Sequence, residues 1–249
     1  MTEPELIVAD DAEAVARLAA QWLVEEGEAA VRARGSCSLA LAGGTTPRAI
    51  HGRLVAEPLV GRLPWPRVEV FFGDERCVSP LDSESNYAMA SSSLLERAPL
   101  EPGKVHRMEA ERRDLDQAAA DYAALLPDRL DVLLLGMGDD GHTASLFPRA
   151  CALRERERRV VVVLDSPRPP PLRLTITPPV IEAARAVLVF AHGASKAPAL
   201  ARALSGPFDP FEVPIQLARR GTWIVDQAAA ARAGSRPRGA RSRAARPGP

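Results

Sequence analysis

Short, unbroken apolar runs that stop abruptly at glycine are the feature that most restricts how this chain can fold. Cys37 to Ala42 ends at Gly43-Gly44, Val68 to Phe72 at Gly73, and Asp131 to Leu135 at Gly136. A strand that is apolar at every position has both faces buried, the condition of a parallel sheet held between helices. Val160 to Leu164, Leu174 to Thr177, Ala186 to Phe190 and Thr222 to Val225 are further strand candidates. Helical patterns lie between them. The plainest can be capped by Asp10 or Asp11, repeats Val15, Leu18, Ala19, Trp22 and Leu23 at helical spacing, and stops at Gly35. Others are expected from Pro47 to about Glu57, across Asn86 to Arg97 and Asp114 to Leu126, and at Val180 to Arg185 and Lys196 to Leu204. The pattern predicts an α/β fold: one domain, with a mostly parallel sheet and helices on both faces.

Composition supports such a core, since 46% of the 249 residues are hydrophobic and 26% charged. No run approaches the roughly 18–20 apolar residues of a membrane span. Met1 to Ala9 carries acidic residues and does not read as a secretory signal. Cys37, Cys77 and Cys151 are odd in number and widely spaced, which argues against a disulfide framework or structural zinc. A soluble, reduced, cytoplasmic protein is expected, without a membrane partner. Net charge is zero, but the stretch from Ala228 onward holds six arginines and no acid, leaving 26 basic against 32 acidic residues before it. An acidic body is a poor platform for nucleic acid, and no specific nucleic-acid partner is expected. The division is therefore a domain over residues 1–227 and a disordered Arg/Ala/Pro-rich tail over 228–249.

The chemistry-bearing residues crowd into loops that follow strands, where open α/β sheets bind ligands. Gly43-Gly44-Thr45-Thr46-Pro47 reads either as a tight strand-to-helix turn, with Thr46 as cap and Pro47 at the first helical position, or as an anion site of free N–H groups. Gly73-Asp74-Glu75-Arg76 is either a solvated turn or a place where Arg76 meets a phosphate or a developing oxyanion. Gly136-x-Gly138-x-x-Gly141 matches a dinucleotide fingerprint, with Asp165 near the ribose position. Asp139 and Asp140 would repel a pyrophosphate there, however, and Pro148 interrupts the helix that should follow. Acid–base chemistry suits this loop better, because His142 has a carboxylate two residues before it. His51, His106 and His192 read as structural. Lys196, in His192-Gly193-Ala194-Ser195-Lys196, can offer a point charge to phosphate or simply be solvated; Arg173 is a further phosphate candidate. No GxSxG elbow or HExxH set is present.

Taken in order, Gly43 to Pro47, Asp74-Glu75-Arg76 with Ser85-Asn86, Leu134-Leu135-Gly136, the string Asp140 to Pro148, and Gly193-x-x-Lys196 resemble the glucosamine-6-phosphate isomerase/6-phosphogluconolactonase family, on its lactonase branch. The likeness runs from about Leu6 to Val225. It implies a Rossmann-like α/β fold and hydrolysis of a sugar-phosphate lactone without metal or organic cofactor. It further implies His142 as general base, Asp140 orienting it, and Arg76 holding substrate or oxyanion. Gly43, Gly44, Thr45, Thr46, Lys196 and Arg173 would hold the phosphate. Ala42 stands where a serine is usual and Asp139 where a proline is common. Two alternatives stand beside the lactonase: a glucosamine-6-phosphate deaminase or related sugar-phosphate isomerase, and a non-catalytic sugar-phosphate sensor. The deaminase branch carries a glutamate after its Asp-Gly-His that Ser145 to Pro148 lacks, which favours the lactonase.

Overall fold

A computed structural model describes residues 4–233. Six strands form one parallel sheet: β1 (Glu5–Ala9), β2 (Cys37–Leu41), β3 (Val68–Phe72), β5 (Val132–Gly136), β8 (Ala186–Ala191) and β9 (Thr222–Asp226), in the spatial order β1-β9-β8-β5-β2-β3. Successive side chains of a strand point to opposite faces. Thus Leu39, Leu41, Val132, Leu134 and Ile224 join one core with α1 (Ala12–Arg34) and α2 (Thr45–Leu54). Ala40, Leu133, Leu135, Trp223 and Val225 join the other, with α4 (Leu115–Leu125), α5 (Pro178–Ala183) and α6 (Ala197–Ser205). Both faces of the parallel sheet are therefore covered, as the apolar runs require.

Local signals fix several boundaries. Asp11 accepts from the Ala14 N–H at 2.8 Å, and Gly35 closes α1 at φ 81°, so the first helix starts and stops on the residues its sequence nominates. Asp114 caps α4 in the same way. The second helix departs from expectation. Its cap is Gly44 at φ 111°, with no side-chain cap bond, so Thr46 does not cap and Pro47 lies inside the first turn. The expected helix across Asn86 to Arg97 is α3 (Asn86–Ala90) followed by a wider π turn at Ser91–Leu95.

Two larger differences concern strands. β4 (Asp74–Arg76), β7 (Arg173–Ile176) and β6 (Val160–Val163) form a separate antiparallel sheet in the order β4-β7-β6, instead of extending the main one. It packs on the α4 side through Val160, Leu174 and Ile176. The Gly73-Asp74-Glu75-Arg76 segment is thus an ordered strand and not a solvated turn. At the other end, residues expected to begin the tail form α7 (Gln227–Ala230), capped by Asp226, with Ala229 fully buried. The packed chain therefore continues past Gln227, and the rest of the arginine-rich stretch, 234–249, lies outside the described residues. Among the described residues no helix is long and apolar enough to cross a membrane.

Candidate active site

Between β2 and β5 the winding of the sheet reverses, since β2 leads outward to β3 and β5 leads the other way to β8. Loops at such a switch point converge, and here side chains tie each loop to the next. Asn86 fills the space above Gly43, where an added Cβ would come within 1.8 Å of its Oδ1. The same amide donates to Asp74, at 2.8 Å to the carbonyl and 3.0 Å to Oδ1. Asp74 Oδ2 accepts from the Ser145 hydroxyl at 2.6 Å. Asp139, in the loop after β5, pairs through Oδ1 with Lys196 Nζ after β8, at 2.6 Å.

The loop after β5 holds the central pair. Asp140 Oδ1 lies 2.6 Å from His142 Nδ1 and also accepts the His142 backbone N–H at 3.1 Å. A carboxylate only accepts, so Nδ1 carries the hydrogen, and in the neutral imidazole Nε2 keeps its lone pair. That nitrogen has no hydrogen-bond partner among the described residues. Partial burial pushes the Asp140 carboxyl up, but the bonds from His142, and its charge when the ring is protonated, outweigh it and hold the group well below the ordinary carboxylate range. The loop has a tight shape for a reason. Gly138 N–H bonds the His142 carbonyl at 2.9 Å, Gly141 turns back at φ 90°, and a Cβ at Gly138 would fall 2.0 Å from Nδ1. Beyond it, Ala144 is left-handed at φ 47°, stabilised by the Thr143–Leu146 bridge. The Phe147 ring packs 4.7 Å from the imidazole.

Arg76, on β4, donates through Nη1 to the Glu84 carbonyl at 2.6 Å, while its Nε is buried without a partner. Its neighbours Asp74 and Glu75 are buried and structural. Burial raises the Glu75 pKa, opposed by backbone N–H groups of Tyr87, Asn86 and Arg76 and by the Ser85 hydroxyl. Lys196 sits in the turn Ala194–Lys196, whose Gly193 N–H is gripped by both Asp226 oxygens at 3.0 Å. Gly44 and Thr45 are exposed at the uncapped start of α2, with Thr46 half-buried beside them.

Arg173, a phosphate candidate from the sequence, has its side chain bonded within the protein. Its side chain is 5% exposed. Nε donates to the Pro170 carbonyl at 3.0 Å, and Nη2 to the carbonyls of Arg168 and Pro169 at 3.0 and 3.1 Å. Nη1 reaches Ser145 at 3.4 Å and lies 4.0 Å from Asp74. A fork so occupied braces the 168–170 backbone and the His142 loop; it has no pair of donors to spare for a ligand. Gly43 likewise serves mainly to admit Asn86. Two groups went unseen in the sequence. Asp74 links two loops across 71 positions, a pairing no local pattern marks. Arg168 carries a positive charge that bears on Asp139 and Asp140, yet its proline-rich surroundings read only as a loop. Among the described residues, no three His, Cys, Asp or Glu side chains group as a metal site.

The family model for glucosamine-6-phosphate isomerases/6-phosphogluconolactonase matches residues 10–225. A 6-phosphogluconolactonase of Streptomyces coelicolor is 40% identical over 245 residues, covering 91% of this chain and 94% of its own. One from Mycobacterium tuberculosis is 38% identical, with 89% and 95% covered. The solved 6-phosphogluconolactonase from Trypanosoma cruzi superposes with a TM-score of 0.82 at 28% identity, over 94% of this chain and 99% of that one. A monomeric glucosamine-6-phosphate deaminase, at 20% identity and a TM-score of 0.77, covers 92% of this chain and 99% of its own and shares the fold.

Proposed function

Because the chain belongs to the glucosamine-6-phosphate isomerase/6-phosphogluconolactonase family, we infer that it hydrolyses 6-phospho-D-glucono-1,5-lactone to 6-phospho-D-gluconate in the oxidative pentose phosphate pathway, with His142 as general base. The Asp140–His142 pair carries this reading, for it fixes the tautomer and leaves Nε2 free to accept a proton. Nε2 takes a proton from the water that attacks the lactone carbonyl carbon, and the carbonyl oxygen becomes an oxyanion. Arg76, with an orphaned Nε, is the donor suited to that charge. A buried unpaired donor costs about 1–3 kcal/mol, which a ligand oxygen would recover. The bond from that carbon to the ring oxygen then breaks, and the leaving oxygen takes the proton that His142 holds. The acid so formed ionises to the product carboxylate.

Lys196 and the exposed turn of Gly44, Thr45 and Thr46, beside Gly43, would hold the 6-phosphate. The turn contributes N–H groups at a helix start and the lysine a point charge. An acyl ester is already electrophilic, so this chemistry calls on no metal or organic cofactor. The three cysteines are free, which suits a reducing cytoplasm. His142→Asn tests the assignment. The variant should keep fold and ligand binding while losing on the order of 10²-fold or more of hydrolysis. Near-normal turnover above the spontaneous rate would remove His142 from the mechanism.

A further inference from the structure

The lysine that the proposed function assigns to phosphate is not idle in the structure. Its ammonium sits 2.6 Å from Asp139 Oδ1, and the Ser195 hydroxyl donates to the same oxygen at 3.2 Å. The two partners come from different loops, yet both ends are anchored. Asp139 lies inside the turn closed by the Gly141 N–H on the Gly138 carbonyl at 3.0 Å, and directly precedes the carboxylate that orients His142. Gly193, clamped by Asp226, fixes the turn that carries Lys196. Neither side chain is deeply buried, at 24% exposed for the lysine and 48% for the aspartate, so an arriving anion can contest the pair.

The reaction gives that contest a use. The substrate carries one phosphate dianion, whereas ring opening adds a carboxylate, so the product holds one more negative charge. A site built only of cations would therefore grip its product harder than its substrate. Building on the lactonase reading, we propose that Asp139 is an internal anion that competes with the sugar phosphate for Lys196 and so weakens a grip that would otherwise hold the more anionic product too long. It acts through Lys196 and is a specificity-setting residue, not a catalytic one. When phosphate holds the ammonium, Asp139 has lost its cation. When the ammonium returns to Asp139, the phosphate loses its partner.

Binding of 6-phosphogluconate and of gluconate is measured by titration calorimetry at fixed ionic strength, for the wild type, Asp139→Asn, Lys196→Ala and the double variant. Asparagine keeps an acceptor for Ser195 and removes only the charge. Asp139→Asn should bind 6-phosphogluconate about fivefold tighter, the scale of an exposed ion pair. The gain should vanish in the Lys196→Ala background and for gluconate. Inhibition of turnover by 6-phosphogluconate should sharpen in parallel. Unchanged or weaker binding by Asp139→Asn overturns the proposal and leaves Asp139 as a mere support for Lys196. A persistent gain in the double variant also overturns it. If Lys196→Ala alone leaves 6-phosphogluconate binding untouched, the lysine is not a phosphate ligand and the proposal falls with it. The lactonase reading fails separately, if the wild type does not open the lactone above its spontaneous rate.

Discussion

Gly138→Ala puts one methyl group where the His142 loop has no space for it. The added carbon would lie 2.0 Å from Nδ1 and 2.6 Å from Asp140 Oδ1. Ordinary contact begins near 3.4 Å, so the imidazole must retreat by about 1.4 Å or the loop must open by a similar amount. Gly138 does not adopt a left-handed backbone, so the effect is steric and not conformational. A displacement of about 1 Å of a catalytic group costs on the order of 10²-fold in rate. Because His142 is partly exposed and can swing outward, the fold should survive. Gly136→Ala is the matched control: two residues earlier, its methyl meets only the Phe190 ring, at an ordinary 3.5 Å. Freshly generated lactone, followed by acid release in a weakly buffered solution, gives kcat, and circular dichroism follows melting. Gly138→Ala should lose about a hundredfold in kcat with little change in melting temperature, while Gly136→Ala stays within a few-fold of wild type. If Gly138→Ala turns over normally, the position of the imidazole is not what the rate depends on.

Burial lowers the pKa of His51 to about 4 from 6.5, with Arg48 adding to the effect, so the folded protein keeps it neutral while the unfolded chain protonates it. Its stabilising contribution is therefore full above pH 6.5 and is lost as pH falls toward 4, on the order of 3 kcal/mol. Denaturant melts of His51→Phe between those pH values should flatten relative to wild type; parallel curves would disprove it. Lys196→Ala should raise KM for the phosphorylated lactone about ten- to a hundredfold, with little change for unphosphorylated gluconolactone. An equal loss on both substrates would make the lysine structural. Truncation after Gln227 removes buried Ala229 and should lower the melting temperature, whereas truncation after Ala233 should leave melting and turnover unchanged, as paired calorimetric scans will show.

What could be read from the sequence is what depends on near neighbours. Asp140 and His142 are two residues apart, so the reach of one carboxylate decides the contact, and the strand before them marks where the loop must lie. Asp11 and Gly35 act on the turns beside them and were legible for the same reason. Arg173 could be read only as a phosphate candidate, because nothing near it in the sequence marks the backbone carbonyls folded around its guanidinium. β4 went unseen because three charged residues carry no apolar periodicity, although Glu75 is satisfied by four local donors. A four-residue apolar run such as Val160–Val163 announces burial but not which strand it pairs with. The second sheet depends on that choice.

The pairing of β1 with β9 has a consequence for how the chain is made. Leu6 lies opposite Trp223 and Glu5 opposite Thr222, 217 positions later. At about 5–20 residues per second, β1 leaves a ribosome on the order of 10–40 s before β9, the strand it pairs with among the described residues. During that interval Leu6, Ile7 and Val8 have no strand to dock on, and an unpaired apolar strand is a template for pairing with other chains. The sheet can grow from β2 and β3 outward while synthesis proceeds, but this edge closes only once nearly all of the described chain is outside. In a crowded cell the vulnerable interval falls before β9 emerges, and a holdase that covers Glu5–Ala9 would protect the nascent chain there.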